Sequence, residues 1–235
     1  MKLKDSVIIL TGAGRGLGKA IALALADREV KLALLARTRH ELDAVAEVVS
    51  AAGSQALVVP VDLSDPDQIE GAVAKTLEAF GGIDVLINNA GWSPPLRPLQ
   101  ETTLETWNTA MDVNARATFL LCKACLPTLI EKRAGHIINI STAVVDVPVA
   151  TITAYRASKA AQKAFAESLL EEVRPLGIKV TTILPEPMDT PMRWEATPDY
   201  PRDRVMDPNE VARVVVELLK QNEEVFVDRL AVRVV

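Results

Sequence analysis

The sequence predicts an α/β fold, a doubly wound parallel sheet in a single domain spanning residues 1–235, and three observations carry that expectation. Apolar runs rich in Val, Ile and Leu alternate with helical patterns along the whole chain. The first of these runs breaks into a glycine-rich turn and then into a helix. Proline, glycine, Asp and Asn punctuate the intervals, and neither a linker nor an internal repeat divides the chain. With 49% hydrophobic residues among 235, the chain can bury a sizeable core.

Val7 to Thr11 reads as a buried strand, and Gly12 to Gly18 as the turn that follows it. The helix from Gly18 to about Arg28 carries Ile21, Leu23 and Leu25, so its start aims free N–H groups and the positive dipole end at an anion. Spacing selects the motif. The phosphate-loop pattern G-x-x-x-x-G-K-[ST] would need glycine at Ala13 and a hydroxyl at Ala20, and G-x-G-x-x-G from Gly12 and Gly14 puts Leu17 where the third glycine belongs. What remains is T-G-x-x-x-G-x-G, met by Thr11, Gly12, Gly16 and Gly18.

Val30 to Ala36 is the second strand, and Arg39 to Ala52 a helix with Leu42, Val45, Val48 and Val49 at helical spacing and Gly53 as its stop. Ala56 to Val61 is the third strand, followed by a helix from Asp65-Pro66 to Phe80 that Gly81-Gly82 ends. Ile83 to Ile87 is the fourth strand and runs into Asn88-Asn89-Ala90-Gly91. A loop with Trp92, Pro94, Pro95 and Pro98 leads to a long helical region from about Leu104 to Lys132. His136 to Ile140 is the fifth strand, Thr153 to Val173 the next helix, and Lys179 to Leu184 the sixth strand. The proline-rich stretch around 186–207 reads as a short lid, Pro208 opens a helix through Leu219, and Val225 to Val227 is a short last strand. In such sheets ligands bind at the carboxyl ends of the strands.

The 31 acidic and 26 basic residues give a net charge of -5, and no basic stretch is interleaved with aromatics, which argues against a nucleic-acid partner. No apolar run is expected to reach membrane-spanning length and no signal peptide is evident, so the expected compartment is the cytoplasm. Cys122 and Cys125 form a C-x-x-C inside a helical pattern, where core packing explains them better than redox chemistry. No metal site is expected.

Five segments in this order and strand context closely resemble the short-chain dehydrogenase/reductase family, over essentially the whole length. They are Thr11-Gly12-x-x-x-Gly16-x-Gly18, Asp62 after the third strand, Asn88-Asn89-Ala90-Gly91 after the fourth, Asn114 in the long helix, and Tyr155-x-x-Ser158-Lys159 opening the next. The resemblance implies a Rossmann-like fold, a nicotinamide cofactor and a small-molecule carbonyl or alcohol substrate. It assigns catalysis to Asn114, Thr142, Tyr155 and Lys159. The cofactor would be held by Gly12, Arg15, Gly16, Leu17, Gly18, Arg37, Asp62, Asn89, Ala90, Gly91, Tyr155, Lys159, Pro185 and Thr190. It also implies a homodimer or homotetramer through the long helices around 104–132 and 153–173.

The residues suit that chemistry. Tyr155 and Lys159 share a helix face, and an ammonium near a phenol favours phenolate, which makes a usable acid or base. Asparagine is a poor mid-helix residue, so Asn114 reads either as a specific polar link, in the family a water-holding one, or as a surface amide. Asp62 would, as the resemblance implies, accept a hydrogen bond from adenine, or else cap the helix after it. An acid that would bind ribose hydroxyls is missing at Ala36, and Arg37 follows it. With Arg15 it supplies cations for a 2′-phosphate, so the cofactor is expected to be NADP.

Two positions depart from the family pattern. Thirteen residues before Tyr155 the family has serine; position 142 is threonine, with Ser141 before it. After the sixth strand, Pro185-Glu186-Pro187 replaces the usual Pro-Gly, placing a side chain where glycine turns, ahead of Thr190, which matches the family residue near the nicotinamide. These departures keep open a catalytically weak or inactive NADP-binding regulatory or scaffold protein as the alternative to an enzyme. Trp92, Val144, Val145, Met188, Met192 and Trp194 are expected to line a largely apolar substrate pocket.

Overall fold

Both faces of the sheet are buried, which is why its strands read as continuous apolar runs rather than alternating ones. In the computed structural model, which describes residues 3–221 and 224–234, the strands are β1 (Val7–Thr11), β2 (Lys31–Ala36), β3 (Gln55–Pro60), β4 (Val85–Asn88), β5 (Gly135–Ile140), β6 (Ile178–Pro185) and β7 (Arg229–Val232). They form one sheet in the order β3-β2-β1-β4-β5-β6-β7, parallel at every pairing. The helices are α1 (Gly16–Leu25), α2 (Arg39–Ala51), α3 (Pro66–Phe80), α4 (Leu104–Met111), α5 (Ala117–Lys132), α6 (Thr153–Val173), α7 (Pro191–Ala196) and α8 (Pro208–Lys220). Ile8, Leu10, Leu32 and Leu34 turn to one face, where α1, α2 and α8 cover them. Ile9, Ala33, Leu35 and Leu86 turn to the other, under α3, α5 and α6.

Local chemistry sets most helix ends. Asp65 accepts from the Asp67 N–H and precedes Pro66, and Gly81 ends α3 at φ 77°. Asp207 caps α8 in the same way with Pro208 behind it. The carboxylate that caps α3 is therefore Asp65, and Asp62 is left for another task.

Three sequence expectations are corrected. Helix α1 begins at Gly16 and ends at Leu25, rather than running from Gly18 to Arg28. The last strand is Arg229–Val232, not Val225–Val227: Thr182 pairs with Arg229 and Pro185 with Val232. The Val225 and Val227 carbonyls instead accept bonds from the Lys179 and Thr181 side chains. Sheet pairing outweighs the local apolar preference there.

The long helical region holds the third correction. It is continuous over Leu104–Lys132 but contains a π-helical turn at Asp112–Arg116 between α4 and α5. Those 29 residues, with a mean hydropathy of 1.2 in their most apolar window, are long and apolar enough to cross a membrane by length and composition. In the fold Leu121, Cys122, Cys125 and Leu129 of this rod are buried against the sheet.

Candidate active site

The chain leaves β3 at one edge and re-enters the sheet as β4 beside β1, so the strand order reverses between β1 and β4. At a reversal of this kind the connections diverge to opposite faces and leave a crevice at the strands' carboxyl ends. A cavity of about 410 Å³ opens there, running from the glycine turn to Tyr155 and Lys159.

The glycine turn is fitted to its neighbours. Gly12 has φ 65°, and a Cβ on it would sit 3.0 Å from the Ala90 Cα. A Cβ on Gly18 would run into the Gly12 carbonyl, so glycine is what lets α1 pack onto the turn. The Thr11 hydroxyl accepts the N–H groups of Asn89 and Ala90, both at 2.9 Å. The Asn89 amide donates back to the Thr11 carbonyl at 2.8 Å. These bonds staple the two central strands and bring Asn89, Ala90 and Gly91 to the cavity wall. Helix α1 has no side-chain cap and no acid in its first turn. Gly16, Leu17 and Gly18 line the cavity, so the orphan N–H groups and the helix dipole face it. A cofactor pyrophosphate fits this cradle.

At the far end stand Arg37, Asp62 and two carboxylate-bearing neighbours that sequence reading missed. Burial pushes the Asp62 carboxyl up, but hydrogen bonds from the Ser64 N–H and hydroxyl, together with the nearby Arg37 guanidinium, hold it below its ordinary value. The Glu41 side chain of α2 presses on Gly14, where a Cβ would approach its Oε2 to 3.0 Å. Arg15 makes a two-pronged ion pair with Glu195 of α7, at 2.7 and 3.3 Å. Arg15 is thus engaged by a carboxylate that lies 180 residues away in the chain.

At the other end Lys159 is buried, and its ammonium donates to the Ile140 carbonyl at 2.8 Å and to Gln162 Oε1 at 3.1 Å. Burial pulls its pKa down to about 7. Tyr155, one helical turn earlier, is half-buried. Burial pushes the phenol up, while the Thr142 side chain and the more distant Arg193 guanidinium pull it back in part. This corrects the expectation that Lys159 lowers it: the ammonium is turned to Ile140 and Gln162, and burial dominates. Asn114 is buried in the π-helical turn. It clamps the Trp92 backbone, accepting from its N–H at 2.8 Å and donating to its carbonyl at 2.9 Å, and donates to the Ser158 hydroxyl at 2.9 Å. The surface-amide alternative is thereby excluded. Gly91 lies between these groups; a Cβ there would stand 3.3 Å from Asn114 Oδ1 and 3.4 Å from Lys159 Nζ.

A short chain dehydrogenase family model matches residues 6–201. The chain belongs to the short chain dehydrogenase family. An uncharacterized oxidoreductase of Staphylococcus epidermidis is 33% identical over 232 residues, covering 99% of this chain and 98% of its own. Among solved structures, a metagenomic short-chain oxidoreductase in complex with NADP is 33% identical, with a TM-score of 0.88 over 100% of this chain and 99% of the other. An alcohol dehydrogenase from the archaeon Thermococcus sibiricus complexed with 5-hydroxy-NADP is 29% identical, with a TM-score of 0.90 over 98% and 97%.

In this short chain dehydrogenase the remaining expected residues divide. Thr142 lies just past the wall formed by Ile140 and Ser141, facing Tyr155. The Ser141 hydroxyl points to the Lys159 backbone carbonyl at 3.4 Å. Thr190 lines the cavity beside Gly16, as do Trp92, Met188 and Met192. Pro185 sits in β6 paired with Val232 and is not in the wall. Val144, Val145 and Trp194 are not in it either. The carbonyls of the first two are held by Arg156, and the Trp194 indole donates to Asp189 while its ring stacks under Arg202. Glu186 is directed away from the cavity, its carboxylate accepting the Val234 N–H at 3.1 Å.

Proposed function

We propose that this dehydrogenase moves a hydride between NADP(H) and a carbonyl or secondary alcohol, with Tyr155 as the acid or base. What supports this most is that one cavity joins an uncapped helix start to a tyrosine–lysine pair on a single helix face. Bound at the glycine turn, NADPH supplies the hydride. Gly12, Gly16, Leu17 and Gly18 would hold its phosphates, Asp62, Asn89, Ala90 and Gly91 its adenosine, and Thr190 with Lys159 its nicotinamide end. Tyr155, neutral because burial disfavours phenolate, donates its proton to the substrate oxygen during reduction. Lys159 brings a positive charge toward the phenolate that remains, and Thr142 orients the carbonyl. The segment around 186–207 would cover the reacting groups. Two free, buried thiols suit a reducing cytoplasm.

Arg37 and Arg15 carry the cofactor choice. With Glu41 and Asp62 at the same end, a 2′-phosphate is favoured only if both guanidinium groups face it, so binding should exchange the Arg15–Glu195 pair for an Arg15–phosphate pair. NADPH should therefore bind at least tenfold tighter than NADH, about 1.4 kcal/mol or more. Arg37→Ala should erase most of that preference. Titration of both cofactors, followed by turnover of a panel of carbonyls with NADPH, is the test; equal affinities, or a preference untouched in Arg37→Ala, would refute the assignment. Loss of all turnover with binding intact would point to the regulatory alternative.

We also propose a symmetric homodimer or homotetramer. Leu104, Trp107 and Phe119 are exposed along the α4–α5 rod, and Phe119 meets Phe165 of α6 edge to face at 5.9 Å on the same outer side. A second copy of the chain would cover them. Light scattering at micromolar concentration should give twice or four times 25.4 kDa; a monomer would overturn it.

A further inference from the structure

Lys159 is not held by the fold in general; it is held by two acceptors, and one is a side chain with no counterpart among the motif residues. Gln162 is completely buried, one turn further along α6. Its Oε1 accepts from the Lys159 ammonium, and its Nε2 donates to the Thr118 hydroxyl of α5 at 2.9 Å. The Thr118 hydroxyl in turn donates to the Asn114 carbonyl at 3.1 Å. Because an ammonium can only donate, every bond in this chain has a fixed direction, and the amide has one satisfying orientation. We propose that Gln162 is a positioning residue, locking the Lys159 ammonium at the cavity wall and tying it through Thr118 to the Asn114 turn.

A buried glutamine costs stability unless each of its polar atoms is paired, and here each is paired in a line between two groups of the proposed catalytic set. An apolar side chain would fill the same core position without that demand. The Ile140 carbonyl alone would leave Lys159 Nζ free to swing about one acceptor. With two acceptors fixed, its third hydrogen is directed away from both, and Lys159 lines the cavity. The titratable groups around the same cavity are Tyr155 on the same helix, Arg15 in the glycine turn, Arg37 and Asp62 just past β2 and β3, and Glu41 on α2. None of them hydrogen-bonds the ammonium, so Gln162 and Ile140 are what offset its burial.

The inference rests on the proposed function for its catalytic meaning, and the test separates the two. The Lys159 midpoint can be read directly by NMR of 13C-ε-labelled lysine in the cofactor-free protein, with the signal assigned through Lys159→Ala. Gln162→Leu should lower the midpoint by a pH unit or more, because the ammonium loses an acceptor. Gln162→Glu should raise it above that of wild type, because a carboxylate takes the same place. Thr118→Val should lower it by less, since Gln162 keeps its carbonyl but loses its anchor. Gln162→Met, flexible and close in length, serves if the leucine variant does not fold. With NADPH and a carbonyl substrate, Gln162→Leu should also move the alkaline limb of kcat to lower pH by the same amount, at nearly unchanged thermal stability of the core. Midpoints for the Leu or Met and the Glu variants within about 0.2 of wild type, roughly 0.3 kcal/mol, would overturn the proposal. The NMR shifts without any turnover would uphold the placement and refute the enzyme reading.

Discussion

Tyr155→Phe should lower carbonyl reduction by NADPH on the order of a thousandfold or more, with cofactor affinity and thermal stability nearly unchanged. The ring and its packing remain; only the proton donor goes. The phenol is raised above its ordinary value by burial, so it stays protonated at neutral pH and is an acid ready for reduction. Oxidation of an alcohol needs the phenolate, and its rate should therefore climb with pH as the proton is lost. Lys159→Ala should damage both turnover and NADPH binding, since Lys159 lines the cavity one helical turn from the tyrosine. For the cofactor-free protein the ammonium, with its pKa pulled down to about 7, is present below that pH and lost as pH rises through it. Anionic phosphates bound nearby would move this upward. Wild-type rates in Tyr155→Phe would mean that another group supplies the proton.

The parts of the site that could be read in the sequence are those in which a short local pattern has a mechanical reason. The glycines of the turn, the Asn88 to Gly91 strand end and the Tyr155–Lys159 spacing each act through their own backbone or helix periodicity, and each reaches the cavity. What could not be read depends on partners brought together only by the fold. Arg15 is legible as a cation in a glycine turn, but its Glu195 partner lies 180 residues away in the chain, in α7. Gln162 was hidden because a single polar residue on an amphipathic helix looks like solvent-facing spacing. Its burial follows from how α6 packs on α5, which no spacing encodes. One signal was available: Gln162 lies three residues after Lys159, on the same face as a lysine that the motif already required to be inside. The last strand failed for a related reason. Val225 to Val227 is the more apolar stretch, yet pairing with β6 selects Arg229–Val232.

Thr142→Val should cost about 3–4 kcal/mol of barrier, whereas Thr142→Ser should stay within about tenfold of wild type, roughly 1.4 kcal/mol. The residue is half-buried in extended conformation, φ -164°, where β5 passes into a short 3-10 turn at Ala143–Val145. Arg156 fixes that turn from α6, donating to the Val144 carbonyl at 2.7 Å and the Val145 carbonyl at 3.0 Å. The hydroxyl of Thr142 is only weakly engaged locally, 3.5 Å from the Val144 N–H, and its side chain faces Tyr155. In the proposed reaction it would donate to a substrate oxygen that Tyr155 also reaches. There it would share the negative charge that develops on that oxygen. Valine keeps the branched shape and removes the donor, so the difference between the valine and serine variants isolates the hydroxyl from the packing. Ser141→Ala should change turnover little, since that hydroxyl is turned to the Lys159 backbone rather than to Tyr155. Steady-state kinetics on the three variants with one carbonyl substrate decides it. Loss of activity in Ser141→Ala with retention in Thr142→Val would mean that the hydroxyl serving the substrate is Ser141, and that the direction assigned to the end of β5 is wrong.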